Sequence, residues 1–221
     1  MVCPRCKNND LQGREMCPAC GAPVKPIPVP LGGRLRFGGY DWFVLDTQED
    51  KTLIITEKVI MKRPYHSEEK EITWETSDMR KYLNGEYYNL FTDADRARII
   101  EVVNENPNNP WYGTSGGNLT TDRIFLLNIE EVIKHLGDSG QLHEKPVGPK
   151  GESWWIDDQY DGVRSARFGS KYAWWWLRSP GYISSCAAYI NTKGIVHLHG
   201  GAVKEKNGGV RPALWLKGMV I

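Results

Sequence analysis

No run of lysine and arginine appears anywhere in this 221-residue sequence, whose 28 basic and 27 acidic side chains leave a net charge of +1. An electrostatic nucleic-acid binder carries a basic face or stripe, so no nucleic-acid partner is expected. Long apolar runs are missing too. The longest are short, such as Leu53-Ile54-Ile55, against the roughly 20 residues a membrane helix needs. The residues after Met1 are polar and rich in cysteine, unlike a signal peptide. The expectation is a soluble, cytoplasmic protein with no membrane partner. Gly116-Gly117 and Gly200-Gly201 lack the lysine of a phosphate-binding loop, which leaves nucleotide binding weakly supported. There is no internal repeat.

Cysteine is scarce after the first twenty residues: Cys186 stands alone, while Cys3, Cys6, Cys17 and Cys20 crowd the start. A secreted disulfide scaffold would spread its cysteines along the chain, so the clustering points to metal. Each Cys-x2-Cys pair lets one turn present two thiolates whose charge the backbone amides offset. Two such turns make a closed tetrahedral sulfur site, which suits Zn2+ and leaves no position open for a substrate. Cys17-Pro-Ala-Cys20-Gly21 looks like a zinc-ribbon knuckle, whereas Lys7 stands where the first knuckle commonly has glycine. Redox cysteines or an iron site are the alternatives, and redox pairs are rarely doubled in so small a module. The metal would supply folding energy that some twenty residues cannot draw from a core. The chain therefore divides into a zinc ribbon at 1–24, a Pro-rich spacer at 25–33 and a larger domain at 34–221.

The larger domain is rich in aromatics; the chain has nine tryptophans and ten tyrosines, many in its last third. Short strands are predicted at Leu35–Phe37, Tyr40–Leu45 and Thr52–Thr56, with Gly38-Gly39 as a hairpin turn. Ser77–Tyr88 reads as a helix with Met79, Tyr82, Leu83 and Tyr87 on one side. Thr92 can cap another, running to about Asn104. A loop follows at 104–118, then a short strand at Ile124–Leu127. Asn128 and Glu131 have capping-box spacing for a helix ending before Gly137. A long polar loop is predicted at 137–170, and strands and turns thereafter. The fold class is α+β.

Five strings carry a resemblance. They are Tyr172-Ala-Trp-Trp-Trp-Leu-Arg-Ser-Pro-Gly181 with Gly209-Val-Arg-Pro-Ala-Leu-Trp-Leu216; Ile72-Thr-Trp-Glu-Thr-Ser77 with Arg80 and Leu83-Asn84-Gly85; and Thr121-Asp-Arg-Ile-Phe-Leu-Leu127. Together they resemble an uncharacterised bacterial domain family often found behind a zinc ribbon, over nearly everything after residue 32. More loosely, the C-terminal block is similar to the C-type-lectin-like fold of formylglycine-generating enzymes and of the variable proteins of diversity-generating retroelements. The resemblance implies a C-type-lectin-like domain whose C-terminal strands display ligand-facing side chains, with a structural Gly-x-Arg-Pro string near the end.

Within that block Trp174, Trp176 and Leu177 are expected to bury apolar area, and Ala187, Ala188, Ile190, Ile195 and Val196 are core-sized. Interleaved with them are Tyr182, Ile183, Ser184, Ser185, Cys186, His197, His199 and Ala202, too mixed for one core and suited to a binding face. In the retroelement systems variable positions derive from asparagine codons by adenine changes, and residues at 182–186, 197–199 and 201–202 show that palette. The face is either hypervariable or an ordinary fixed surface.

His197, His199 and Cys186 could instead form a metal site or a nucleophile pair, but neither a third ligand nor an orienting group is evident. The cysteine-oxidising enzymes of this fold use a cysteine pair, and only Cys186 is available. Asp157, Asp158 and Asp161 could ligate calcium, although their spacing fits no EF-hand and a solvated acidic turn is the simpler reading. Arg178 and Arg211 are expected to be buried and paired. The expected function is non-catalytic binding of a protein ligand. The alternatives are an enzyme of the formylglycine-generating type and a zinc-ribbon adaptor.

Overall fold

Two glycines start the fold. Gly38 and Gly39 both have positive φ, 55° and 84°, which a two-residue hairpin turn of the favoured twist requires. They join β1 (Arg34–Phe37) to β2 (Tyr40–Gln48), with Phe37 opposite Tyr40. A second hairpin leads to β3 (Lys51–Thr56), buried continuously from Thr52 to Thr56. Such a run marks a strand covered on both faces. The computed structural model describes residues 32–148 and 152–218. The expected zinc ligands Cys3, Cys6, Cys17 and Cys20, and nearly all of the Pro-rich spacer, lie outside the described residues.

After β4 (Met61–Lys62), Ser77 caps α1 (Asp78–Tyr82) by accepting from the Arg80 amide. The helix expected to reach Tyr88 changes character at Leu83–Tyr87, which is a π-helical turn, and closes with a 3-10 turn at Tyr88–Leu90. The Asn84 side chain donates to the Arg80 carbonyl, and a side chain inserted into the ladder is a recognised cause of such a departure. Thr92 does cap α2 (Asp93–Arg96), but this helix lasts one turn rather than reaching Asn104. The β-branched residues beyond it form β5 (Ile99–Ile100) and β6 (Val102–Asn104). Helical capping signals are local, whereas Ile99 and Ile100 are claimed by a distant strand.

β6 pairs with β7 (Thr120–Asp122). Ile124–Leu127, expected as a strand, is an irregular buried segment with a single bridge from Phe125 to Ala213. α3 (Ile129–Leu136) begins at the capping box of Asn128 and Glu131 and ends at Gly137. The segment expected as a long loop is punctuated by β8 (Trp155–Ile156), α4 (Asp161–Arg164) and β9 (Ala166–Phe168). The chain then runs through β10 (Lys171–Ala173), β11 (Trp175–Pro180), β12 (Cys186–Ile190), β13 (Val196–Ala202), β14 (Gly209–Val210) and β15 (Ala213–Lys217).

The fold is α+β. A five-stranded antiparallel sheet has the order β1-β2-β3-β15-β5. Through β3 and β15, it joins the early and final strands of the described domain. A six-stranded sheet has the order β4-β14-β11-β12-β13-β8, with β11 and β14 parallel. β11 is buried along its whole length, so the chemistry of the second sheet is displayed from β12, β13 and β8.

Candidate functional site

Three buried arginines hold the framework beneath the face. Arg178 makes a two-pronged pair with Glu131 and donates to the carbonyls of Leu126 and Glu105 and to Asn106 Oδ1. Arg211, also expected to be paired, has no carboxylate partner among the described residues. Its Nε donates to the Thr56 carbonyl at 2.8 Å, and the guanidinium lies 5.0 Å from the centre of the Trp175 ring. Burial pulls its pKa down to about 10, with the charge of Glu57 opposing. Arg164 takes up the acidic turn: its two Nη atoms bond both oxygens of Asp158 at 2.9 and 3.0 Å, with Asp161 close by. Both Arg164 and Asp158 side chains are fully buried. Asp158 is thus neither solvated nor free for calcium. Burial would raise its pKa, but the hydrogen bonds from Ser139, Arg164 and the Tyr160 amide outweigh it and hold the carboxyl low.

A second network explains the earlier strings. Asp122, 1% exposed, accepts from Trp74 Nε1, Arg80 Nε, Asn84 Nδ2, Asn104 Nδ2 and Thr120 Oγ1. Trp74, Arg80, Asn84 and Asp122 are thus one structural cluster.

All eight residues expected at the face lie on or beside β12 and β13, partly exposed, with Ile183 the most open at 43%. Cys186 is the cross-strand partner of Ala202. His199 stacks on Tyr182 with ring centres 3.9 Å apart and meets Tyr112 edge-on. His197 is sandwiched between Tyr189, at 4.7 Å and nearly parallel, and Trp155. The structure adds four ring-bearing residues to the expected set: Tyr112, Trp155, Trp174 and Tyr189. Tyr112 arrives from a distant loop because buried Asn109 donates to the carbonyls of Pro180 and Leu198 while accepting from the Trp111 and Tyr112 amides. For the others the sequence signal was the alternation of Trp174 with Trp176; the pairing of Tyr189 with His197 comes from the strand register. Trp174, expected in the core, is only partly buried, whereas Trp176 and Leu177 are fully so.

The family model described as Domain of unknown function (DUF6273) matches residues 49–218. The chain belongs to the DUF6273 family. No curated protein and no solved structure matches it. The matched span includes both buried networks and every ring of the face.

Burial shifts two groups of this DUF6273 face, Cys186 and His197, toward their neutral forms. Burial, then the charge of Glu69, pushes the Cys186 thiol up, away from the thiolate a nucleophile needs. Among the described residues no cluster of three or more His, Cys, Asp and Glu is placed to hold a metal, and no helix is long and apolar enough to cross a membrane. For His197, burial and then the proximity of His199 lower the pKa. Asn191 acts in the same direction. Its Oδ1 is fixed by the amides of Lys193, Gly194 and Ile195, so its Nδ2 faces His197 Nε2 at 3.1 Å. That ring nitrogen must accept, and protonating it would set two donors together.

A pH prediction follows from the sign. The unfolded chain takes up this proton near pH 6.5 and the folded chain only at lower pH. Stability is therefore full above that value and falls as pH drops through it, by at most about 1.4 kcal/mol per pH unit for one proton. His135, also lowered by burial, adds to the wild-type slope. Urea unfolding between pH 5 and 8 should show a shallower slope for His197→Gln than for wild type; parallel slopes would remove His197 from the account.

Proposed function

We propose that the chain is a non-catalytic binding protein whose ligand, a protein, is met by the face on β12, β13 and β8. The observation that carries this is the aromatic row of Tyr182, His199, His197, Tyr189 and Trp155, partly exposed on a buried framework of Trp176, Leu177, Arg178 and Arg211. Rigid rings supply contact area at little conformational cost, and neighbouring serines supply adaptable hydrogen bonds. The scaffold is proposed to be C-type-lectin-like. In its support, β3 and β15 bring the two ends of the domain into one sheet while the other sheet carries the face. Positions 182–186, 197, 199 and 201–202 would then be the ones diversified in a retroelement system, whereas Leu198, expected among them, is fully buried. A formylglycine-generating activity is disfavoured by the thiol of Cys186, single among the described residues and with its pKa raised by burial.

Peptides selected from a display library on the wild-type chain should be lost by Ile183→Asp and by His199→Ala and kept by Lys51→Ala on the other sheet. Ile183→Ala should change stability by no more than about 0.5 kcal/mol, as surface substitutions usually do. Tyr182→Ala should cost about 1 kcal/mol, because it gives up the His199 stack. If the selected peptides bind all variants alike, the face is elsewhere.

The first residues are proposed to form a zinc ribbon through Cys3, Cys6, Cys17 and Cys20. Elemental analysis should return one zinc per chain. Cys17→Ser should lose it while leaving the thermal transition of residues 34–221 in place. A full-length protein that stays metal-free with its N-terminal module folded would refute the site.

A further inference from the structure

Beside the face, Trp174, Tyr189, Asn191, Thr192, Gly201 and Glu205 line an open cavity of about 320 Å³. Its floor is made by an absence. Gly201 does not have the positive φ that would demand glycine, and a Cβ there would meet only Tyr189 at 3.6 Å and Trp176 at 3.7 Å, ordinary contacts. The backbone does not need this glycine; what it provides is room. The walls are rings set at steep angles: Trp174 meets Tyr189 at 5.2 Å and 64°, and Trp176 at 4.7 Å and 79°.

Several partly exposed rings elsewhere in the domain are covered by its own cations. Lys51 lies over Trp215, Arg63 over Tyr82 and Arg167 over Tyr172. Among the described residues no cation lies over Trp174 or Tyr189 within that range. Glu205 is exposed and forms no ion pair among the described residues, while neighbouring Lys204 is paired with Glu69. The corner thus offers two ring walls and a carboxylate and lacks only the positive charge. We infer that it receives an arginine side chain of the protein partner, the guanidinium against Tyr189 and Trp174 and its N–H groups toward Glu205, a conclusion that rests on β12 and β13 being the binding face. A planar guanidinium suits this corner better than an ammonium, because it stacks on a ring and reaches a carboxylate at once.

The test is titration of the full chain with N-acetyl-arginine amide and with its neutral isostere N-acetyl-citrulline amide, followed by tryptophan fluorescence. The arginine probe should saturate the signal and the citrulline probe should bind about tenfold more weakly. Glu205→Gln, on an exposed side chain that no fold contact depends on, should bring the two probes to within about threefold of each other. Gly201→Leu should abolish binding at an unchanged melting temperature; if it lowers that temperature, the Glu205→Gln comparison decides. Equal binding of arginine and citrulline, saturation by neither, or tighter binding of N-acetyl-lysine amide would overturn the assignment. If these outcomes appear while Ile183→Asp still loses the selected peptides, the corner is wrong and the face stands. If the peptides are also unaffected, the face itself has failed.

Discussion

Arg178→Ala should lower the free energy of unfolding by about 3–5 kcal/mol, the usual cost of breaking a buried pair from one side. The guanidinium has five N–H groups, and each has a partner. Nε goes to Asn106 Oδ1, Nη1 to the Leu126 carbonyl and Glu131 Oε2, Nη2 to the Glu105 carbonyl and Glu131 Oε1. One side chain thereby ties β11 to the first turn of α3 and to the segment after β6. Glu131 is doubly engaged, because its Oε2 also accepts from the Asn128 amide that opens the helix. Removing the arginine leaves that carboxylate, the Asn106 side-chain oxygen and two carbonyls short of donors. Arg178→Lys should recover little, since an ammonium cannot span the same fork. Urea denaturation would measure both. A loss below about 1.5 kcal/mol for Arg178→Ala would place it among ordinary substitutions and show that water or a neighbour satisfies the orphaned groups.

What could be read in the sequence divides along the range of the interactions. The capping box at Asn128 and Glu131, the Ser77 cap and the Gly38-Gly39 turn are legible because donor, acceptor and backbone conformation lie within a few residues of one another. The second role of Glu131, as counter-ion to Arg178, is 47 residues away and invisible at that range. The same limit explains Ile99–Val102, where a good helix cap is overruled because Leu216 and Trp215 pair with Ile99 and Ile100. Asp158 is a different case: Arg164 lies only six residues on, yet Asp158 looks like a solvated acid until the turn of α4 brings Arg164 back onto both its oxygens. For the face, the mixed chemistry of 182–186 and 197–202 singled out two segments, which β12 and β13 lay side by side. Tyr112 and Trp155 could not be foreseen, because each is delivered by a segment whose path is set by distant contacts, the buried Asn109 for one and the edge of β13 for the other.

Asp122→Asn, a near-isosteric change, should cost as much as Asp122→Ala, about 3 kcal/mol or more. The reason is the sign of every neighbour. One oxygen of Asp122 accepts from Trp74 Nε1 at 3.0 Å, Asn104 Nδ2 at 3.0 Å and Thr120 Oγ1 at 2.7 Å; the other accepts from Arg80 Nε at 2.6 Å and, at 3.4 Å, from Asn84 Nδ2. The threonine hydroxyl can also accept and the Asn104 amide can turn over, but Trp74 Nε1 on one oxygen and Arg80 Nε on the other can only donate. An amide placed here must point its own N–H groups at donors whichever way it is turned. Rotating Asn84 gives no relief, because its Oδ1 holds the amides of Arg123 and Ile124. The substitution also removes the only carboxylate paired with Arg80 among the described residues. Exposed Asp93→Asn is the control and should stay within about 0.5 kcal/mol. If Asp122→Asn unfolded within about 1 kcal/mol of wild type while Asp122→Ala did not, shape rather than charge would hold the cluster. If it behaves like alanine, Trp74, Arg80 and Asn84 are there to be gathered by a carboxylate, and only by one.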